Sequence, residues 1–252
     1  MKNYLFVILG LSILLFSCER QNEADLSLTP AEYQKMGMPD YSKVWSLEDY
    51  SNACFVLNTL KYEKPKALPT RDSEKSGVLV SRMINMDNLT FLQDETLPLH
   101  AKAEIIQWYG NTLIELTTSY TFFNAEKQYY IRELADIDLF GLRIAQVMLD
   151  LGNEINASED PEDIAMQSDF PLIQQMYLDL LSDLFKKQQN QSQYPQQTLE
   201  LLSDSLSTSV RKNMHWFDEN ASASIKQAML KVIDSSSSRK IKDEYRELTE
   251  IL

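Results

Sequence analysis

Hydrophobic positions along most of the chain recur at three- and four-residue steps, the spacing that puts them on one face of an α-helix. The first helix after residue 28 is short: Thr29-Pro30-Ala31-Glu32 supplies a cap, a proline at the first helical position and an acid in the first turn, and Gly37 closes it. Ser46 and Asp49 have the spacing of a capping box. The helix they open carries Leu47, Tyr50, Cys54 and Leu57 inward, with Leu60 and the aliphatic stem of Lys61 beside them. Pro65 and Pro69 end it and bracket a loop. Asp72 to Met86 reads as a further helix through Val78, Leu79, Arg82, Met83 and Met86, with Gly77 as its weak point.

Two long helices follow. One starts near Pro98 and carries Ile105, Tyr109, Thr112, Leu113 and Leu116; the other runs from about Glu126 to Leu151 with Ile137, Phe140, Ile144, Val147, Met148 and Leu151 on one face. Phe122, Phe123 and Asn124 are the expected turn of an antiparallel hairpin between them. Gly152 to Pro161 is a polar break and a possible subdivision. Beyond it, Leu172, Ile173, Met176, Tyr177, Leu180, Leu181, Leu184 and Phe185 form an apolar face wide enough for the centre of a bundle. Gln188 to Gln197 is a polar link containing Pro195. Three more helices are marked by Leu199, Leu202, Leu206 and Val210, by Ile225, Met229 and Val232, and by Ile241, Tyr245 and Leu248, with Ser235 to Ser238 as the hinge before the last. No fixed-period repeat and no alternating strand run stands out, and six glycines in 252 residues leave few tight turns for an all-β fold. The expected class is all-α, an irregular bundle of about eight or nine helices over residues 29–252.

The amino terminus has a different pattern. Lys2 is followed by apolar residues from Tyr4 to Phe16 and then by Ser17-Cys18, the layout of a secretory signal. That stretch is shorter than the ~20 residues a membrane span needs. Leu15-Phe16-Ser17-Cys18 resembles the lipobox of bacterial lipoproteins, in which Leu, a small residue and then Gly, Ala or Ser precede an invariant Cys; Phe16 departs from the small residue usual at the second place. The resemblance implies removal of residues 1–17, acylation of Cys18 and a membrane anchor. Because one acyl chain binds only marginally, two or three are needed for lasting retention. Glu19 to Asp25 is polar and buries nothing, so residues 18–28 read as a tether. By the same resemblance, Glu19 in place of an inner-membrane Asp favours the outer membrane.

Charge narrows the partners. The chain carries 24 Lys and Arg against 37 Asp and Glu, a formal net charge of −13 that becomes −14 once Lys2 is removed. Nucleic acid and anionic lipid surfaces are disfavoured. With Cys18 lipidated, Cys54 is the one remaining cysteine, so no internal disulfide forms, and its apolar helical setting reads as core.

Candidate chemistry is sparse. His100 and His215 lie far apart and neither belongs to a metal-binding spacing, while Glu133 and Asp136 beside Arg132 read as a solvated charged face. No glycine-rich phosphate loop or nucleophile elbow is present, Lys75 lies two rather than three residues after Ser73 and so makes no Ser-x-x-Lys pair with it, and nothing marks a Cys54–His100 pair as joined. No metal, cofactor or catalytic residue is expected. Trp108 and Trp216, each flanked by polar and aromatic residues, are the candidate contacts for a partner or glycan. Asp204-Ser205-Leu206 resembles a short bacterial O-glycosylation acceptor, whereas Asn88-Leu89-Thr90 and Asn156-Ala157-Ser158 fit a eukaryotic pattern foreign to such a protein. The leading expectation is a lipid-anchored envelope module that binds or scaffolds another envelope protein. The alternative is a lipid-anchored glycan-binding or hydrolytic protein whose site is assembled from scattered acids and tryptophans.

Overall fold

The computed structural model describes residues 25–252 apart from 128, 192 and 193, and apart from the side chains of 122–127. The lipobox-like segment and Cys18 lie outside the described residues. Among those described there is no strand, and the fold is an all-α multi-helix bundle. Its helices are α1 (Pro30–Lys35), α2 (Leu47–Glu63), α3 (Gly77–Met83), α4 (Leu99–Lys127), α5 (Ile131–Asn156), α6 (Pro161–Met166), α7 (Phe170–Gln189), α8 (Gln196–Asn213), α9 (Glu219–Ser235) and α10 (Arg239–Ile251). Among the described residues no helix is long and apolar enough to cross a membrane.

Local signals placed the early helices well. Thr29 with Glu32 and Ser46 with Asp49 form complete capping boxes, each satisfying amide groups that the first helical turn leaves free. Gly37 takes φ +103° just past α1, a backbone that side chains with a Cβ rarely adopt. The expected helix over 72–86 begins five residues later, at Gly77. The chain folds back so tightly there that a Cβ on Gly77 would stand 2.6 Å from the Arg71 carbonyl oxygen, and residues 71–76 are spent on that turn.

Two hydrophobic cores share one helix. The first gathers α1 to α4 and the Ile137, Phe140, Ile144 and Leu151 face of α5; the second gathers α7 to α10 and the Leu139, Leu142 and Leu149 face. The first core is rich in tyrosines whose hydroxyls pin the loop between α2 and α3. Tyr33, Tyr120 and Tyr130 donate to the carbonyls of Ala67, Pro69 and Pro65 at 2.7, 2.9 and 2.5 Å. Buried carbonyls of an irregular loop are thereby paired, which removes a cost of about 1–3 kcal/mol each.

The α4–α5 pair is antiparallel, with Tyr120 against Tyr130 and Leu113 against Gly141. Its turn is later than the sequence pattern suggests: α4 continues through Phe122, Phe123 and Asn124 to Lys127. The polar break after Gly152 is likewise shorter, since α5 continues to Asn156 and Pro161–Met166 forms one further turn, capped by Asp160.

Glu133 and Asp136 do not form a solvated face. Both are buried: Glu133 accepts the Arg71 amide at 2.8 Å, and Asp136 pairs with the Arg71 guanidinium. Their work is to hold the tight turn before α3 against α5. Asn88 is also buried and its carboxamide is fully engaged in the first core, so the Asn88-Leu89-Thr90 triplet presents no free acceptor.

Candidate functional site

The apolar face of α7 is wider than its neighbours cover. Tyr177, Leu181, Leu184 and Phe185 are buried in the second core, whereas Leu172 and Met176 stand 61% and 54% exposed. The whole face was expected at the centre of the bundle. Instead its outer half forms one lip of an open groove of about 650 Å³ between α4 and α7, floored by α5. The opposite lip comes from Gly110 and Ile114 of α4, above the buried Ile106, with Ile114 66% exposed.

Small residues make the depth. Gly141 and Ala145, four apart on α5, lie on the floor, and Leu113 of α4 approaches within 3.6 Å of where a Gly141 Cβ would stand. Gly110 is different: nothing lies within 4 Å of its Cβ position and its φ is not positive. The fold itself has no use for a glycine there, although glycine inside a helix is about 1 kcal/mol less favourable than alanine. Near the start of α7 the ring of Phe170 closes the groove by packing on Gly152, where a Cβ would come within 2.6 Å of it.

Among the described residues, the charged ones lining the groove are Asp138, Asp169 and Asp183, and no Lys, Arg or His lines it. Asp138 receives Lys187 Nζ at 2.7 and 2.8 Å, and Asp183 receives Lys186 at 3.0 Å. Asp169 has no ion-pair partner among the described residues. Burial holds the Asp138 carboxyl above the ordinary aspartate range, with Lys187 opposing the shift. Such a group binds its proton more tightly folded than unfolded. Its contribution therefore favours the fold below the ordinary aspartate value of about 4, and is lost as pH rises through the raised folded value. Asp138→Asn is expected to flatten the fall in urea midpoint on going from acid toward neutral pH, leaving the parallel contribution of Asp136, which burial also raises. An unchanged slope would show that Asp138 does not carry it.

The residues singled out by sequence lie elsewhere. Trp108 is half-buried against the first core, and Trp216 half-buried against the second, 5.7 Å from the Tyr177 ring. The fold does not bring them together, and neither lines the groove. Cys54 is buried beside Glu115, and burial pushes its thiol up to about 12, so it is not a thiolate at neutral pH. His100 lies instead with Glu162 and Asp163, so the structure makes no Cys54–His100 pair. Ser205 is half-buried within α8, between an Asp204 that pairs with Lys240 and a fully buried Leu206.

One cluster escaped sequence reasoning. His100, Asp160 and Asp163 bring ligand-type atoms within 4.8 Å of one another, although some sixty positions separate the histidine from the acids. Helix capping accounts for their bonds. Asp160 accepts the Glu162 amide at 2.8 Å to start α6; Asp163 accepts the His100 amide at 3.0 Å in the first turn of α4 and the Ser158 hydroxyl at 2.7 Å. His100 Nε2 meets Glu162 at 2.8 Å. The cluster ties α6 to the start of α4 at one end of the bundle.

No family model, curated protein or solved structure matches the chain.

Proposed function

We propose that this chain is a lipid-anchored cell-envelope module that binds a protein partner in the α4–α5–α7 groove and performs no reaction of its own. The observation that carries the reading is the uncovered half of the α7 face. Ile114, Leu172 and Met176 stand open around a floor of glycine and alanine, a contiguous apolar surface of the kind that marks interaction sites. The lipobox-like Leu15-Phe16-Ser17-Cys18 supports an anchor at Cys18, on the outer membrane by the residue that follows. The acidic surface fits a protein partner better than nucleic acid.

The alternative of a glycan-binding or hydrolytic site has less support. Trp108 and Trp216 sit on different cores away from the groove, and two of its three carboxylates are paired with lysines.

A photo-crosslinking side chain placed at Leu172 of the lipidated protein, in intact envelopes, is expected to capture one partner. The same group at Leu230, exposed on α9 away from the groove, should not. The Leu172 adduct should disappear when Gly110→Phe fills the groove, a change that its open Cβ position accommodates. Equal adducts at both sites, or a Leu172 adduct indifferent to Gly110→Phe, would remove the groove from the proposal. Cys18→Ala should move the protein from the membrane to the soluble fraction; retention with membranes would refute the anchor.

A further inference from the structure

We infer that the occupant of the groove is a single amphipathic α-helix whose apolar stripe, about four turns long, carries a lysine or arginine at each end. This rests on the reading of the groove as a protein-docking site and adds what kind of element docks.

Shape argues for a helix. The lips present residues at helical spacing, Gly110 and Ile114 on α4 and Leu172 and Met176 on α7. Ridges spaced by four residues receive the ridges of another helix between them. The unfilled position at Gly110, above a floor that includes Ala145, lets a backbone approach closely. A helix laid there would cover the outer half of the α7 face and complete the packing that the second core leaves unfinished.

Charge sets the ends. Asp169 lies at the start of α7 and Asp183 fourteen residues on, so at about 1.5 Å rise per residue they stand roughly 21 Å apart along the groove wall. Asp169 has no ion-pair partner among the described residues, and the Asp183–Lys186 pair is well exposed, a kind that contributes little and exchanges readily. Among the described residues no cation lines the groove, and Lys186 and Lys187 beside it are taken up by Asp183 and Asp138, so a fatty-acid carboxylate or anionic headgroup finds no free counter-charge. A second copy docking by the same face would set Asp169 and Asp183 against their own equivalents. A basic-ended helix meets both acids favourably.

The test uses the full lipidated chain in phosphatidylcholine nanodiscs and two synthetic 18-residue helices sharing one leucine and alanine stripe, one with lysines fourteen residues apart and one with glutamates there. The lysine helix is expected to bind about tenfold or more tighter at low salt. The preference should shrink in high salt and in the Asp169→Asn, Asp183→Asn double variant, and Gly110→Phe should abolish binding of both while thermal unfolding shows the variant folded. Equal affinities for the two helices would overturn the charge assignment. Failure of both to bind while the Leu172 crosslink persists would overturn the helix and leave protein docking standing; loss of that crosslink as well would overturn docking itself. Saturable uptake of neutral phosphatidylcholine acyl chains that excludes the lysine helix, or self-association through the groove, would also overturn the inference.

Discussion

Asn88→Ala is expected to lower the stability of the fold by about 2–4 kcal/mol, because one buried carboxamide serves three elements of the first core. Its Oδ1 accepts the Trp45 amide at 2.9 Å, just before α2; its Nδ2 donates to the Tyr50 hydroxyl and to the Arg82 carbonyl, both at 2.8 Å. Tyr50 in turn donates to the Met83 carbonyl, and Tyr109 of α4 donates to the backbone carbonyl of Asn88 at 3.0 Å. Alanine leaves the Trp45 amide and the Arg82 carbonyl without that partner in a site closed by Trp45, Tyr50 and Tyr109, all nearly inaccessible. The orphaned Trp45 amide contributes about 1–3 kcal/mol of loss, the Arg82 carbonyl less because the Asn85 amide still donates to it, and a small void adds to both. Urea unfolding followed by circular dichroism reads the effect directly. A loss under about 1 kcal/mol would mean that water replaces the carboxamide and that the network is not a closed one.

Much of this architecture is written locally. Thr29, Glu32, Ser46 and Asp49 can be read as caps because the bonds they make span three residues. The inward face of α2 is legible for the same reason: Tyr50, Cys54, Leu57, Leu60 and even Lys61 are buried where the periodicity puts them. What escapes is whatever depends on a neighbour. In α5 the pattern Ile137, Phe140, Ile144 and Leu151 identifies one face and hides a second, Leu139, Leu142 and Leu149, because a helix between two cores has two apolar faces and one period cannot separate them. Glu133 and Asp136 read as solvated until Arg71 arrives from some sixty residues away, its amide held by Glu133 and its guanidinium by Asp136.

The candidate site is legible in the same uneven way. The breadth of the apolar face from Leu172 to Phe185 is plain in the sequence, and breadth alone implies burial on all sides. That α5 and α8 to α10 cover only part of it depends on how the neighbouring helices lie, which no periodicity records. Gly110 offers a faint hint, as a glycine in the middle of a long helix with no turn to make. For Trp108 and Trp216 the sequence cannot separate two settings, because a large ring beside polar residues suits an interface or the edge of a core equally well; both here pack on core edges.

Leu206→Ala, in the other core, is expected to destabilise by about 2–5 kcal/mol, and to do so across the whole molecule. Leu206 is fully buried on α8 in the cluster with Leu181, Met229 and Tyr245. Truncation deletes several methylene contacts and leaves a cavity whose walls are fixed by four helices. The wider consequence comes from α5. Because its Leu139, Leu142 and Leu149 face belongs to the second core and its Ile137, Phe140 and Ile144 face to the first, the second core cannot melt without baring one side of the helix on which the first is built. The two are therefore expected to unfold as one cooperative unit. In chains retaining only Trp45, buried in the first core, or only Trp216, packed on the second, fluorescence should report coincident urea midpoints, and Leu206→Ala should lower both equally. A Trp45 midpoint left in place while the Trp216 midpoint falls would mean that α5 holds its first-core face alone, and that the two cores are separate folding units joined by a shared helix.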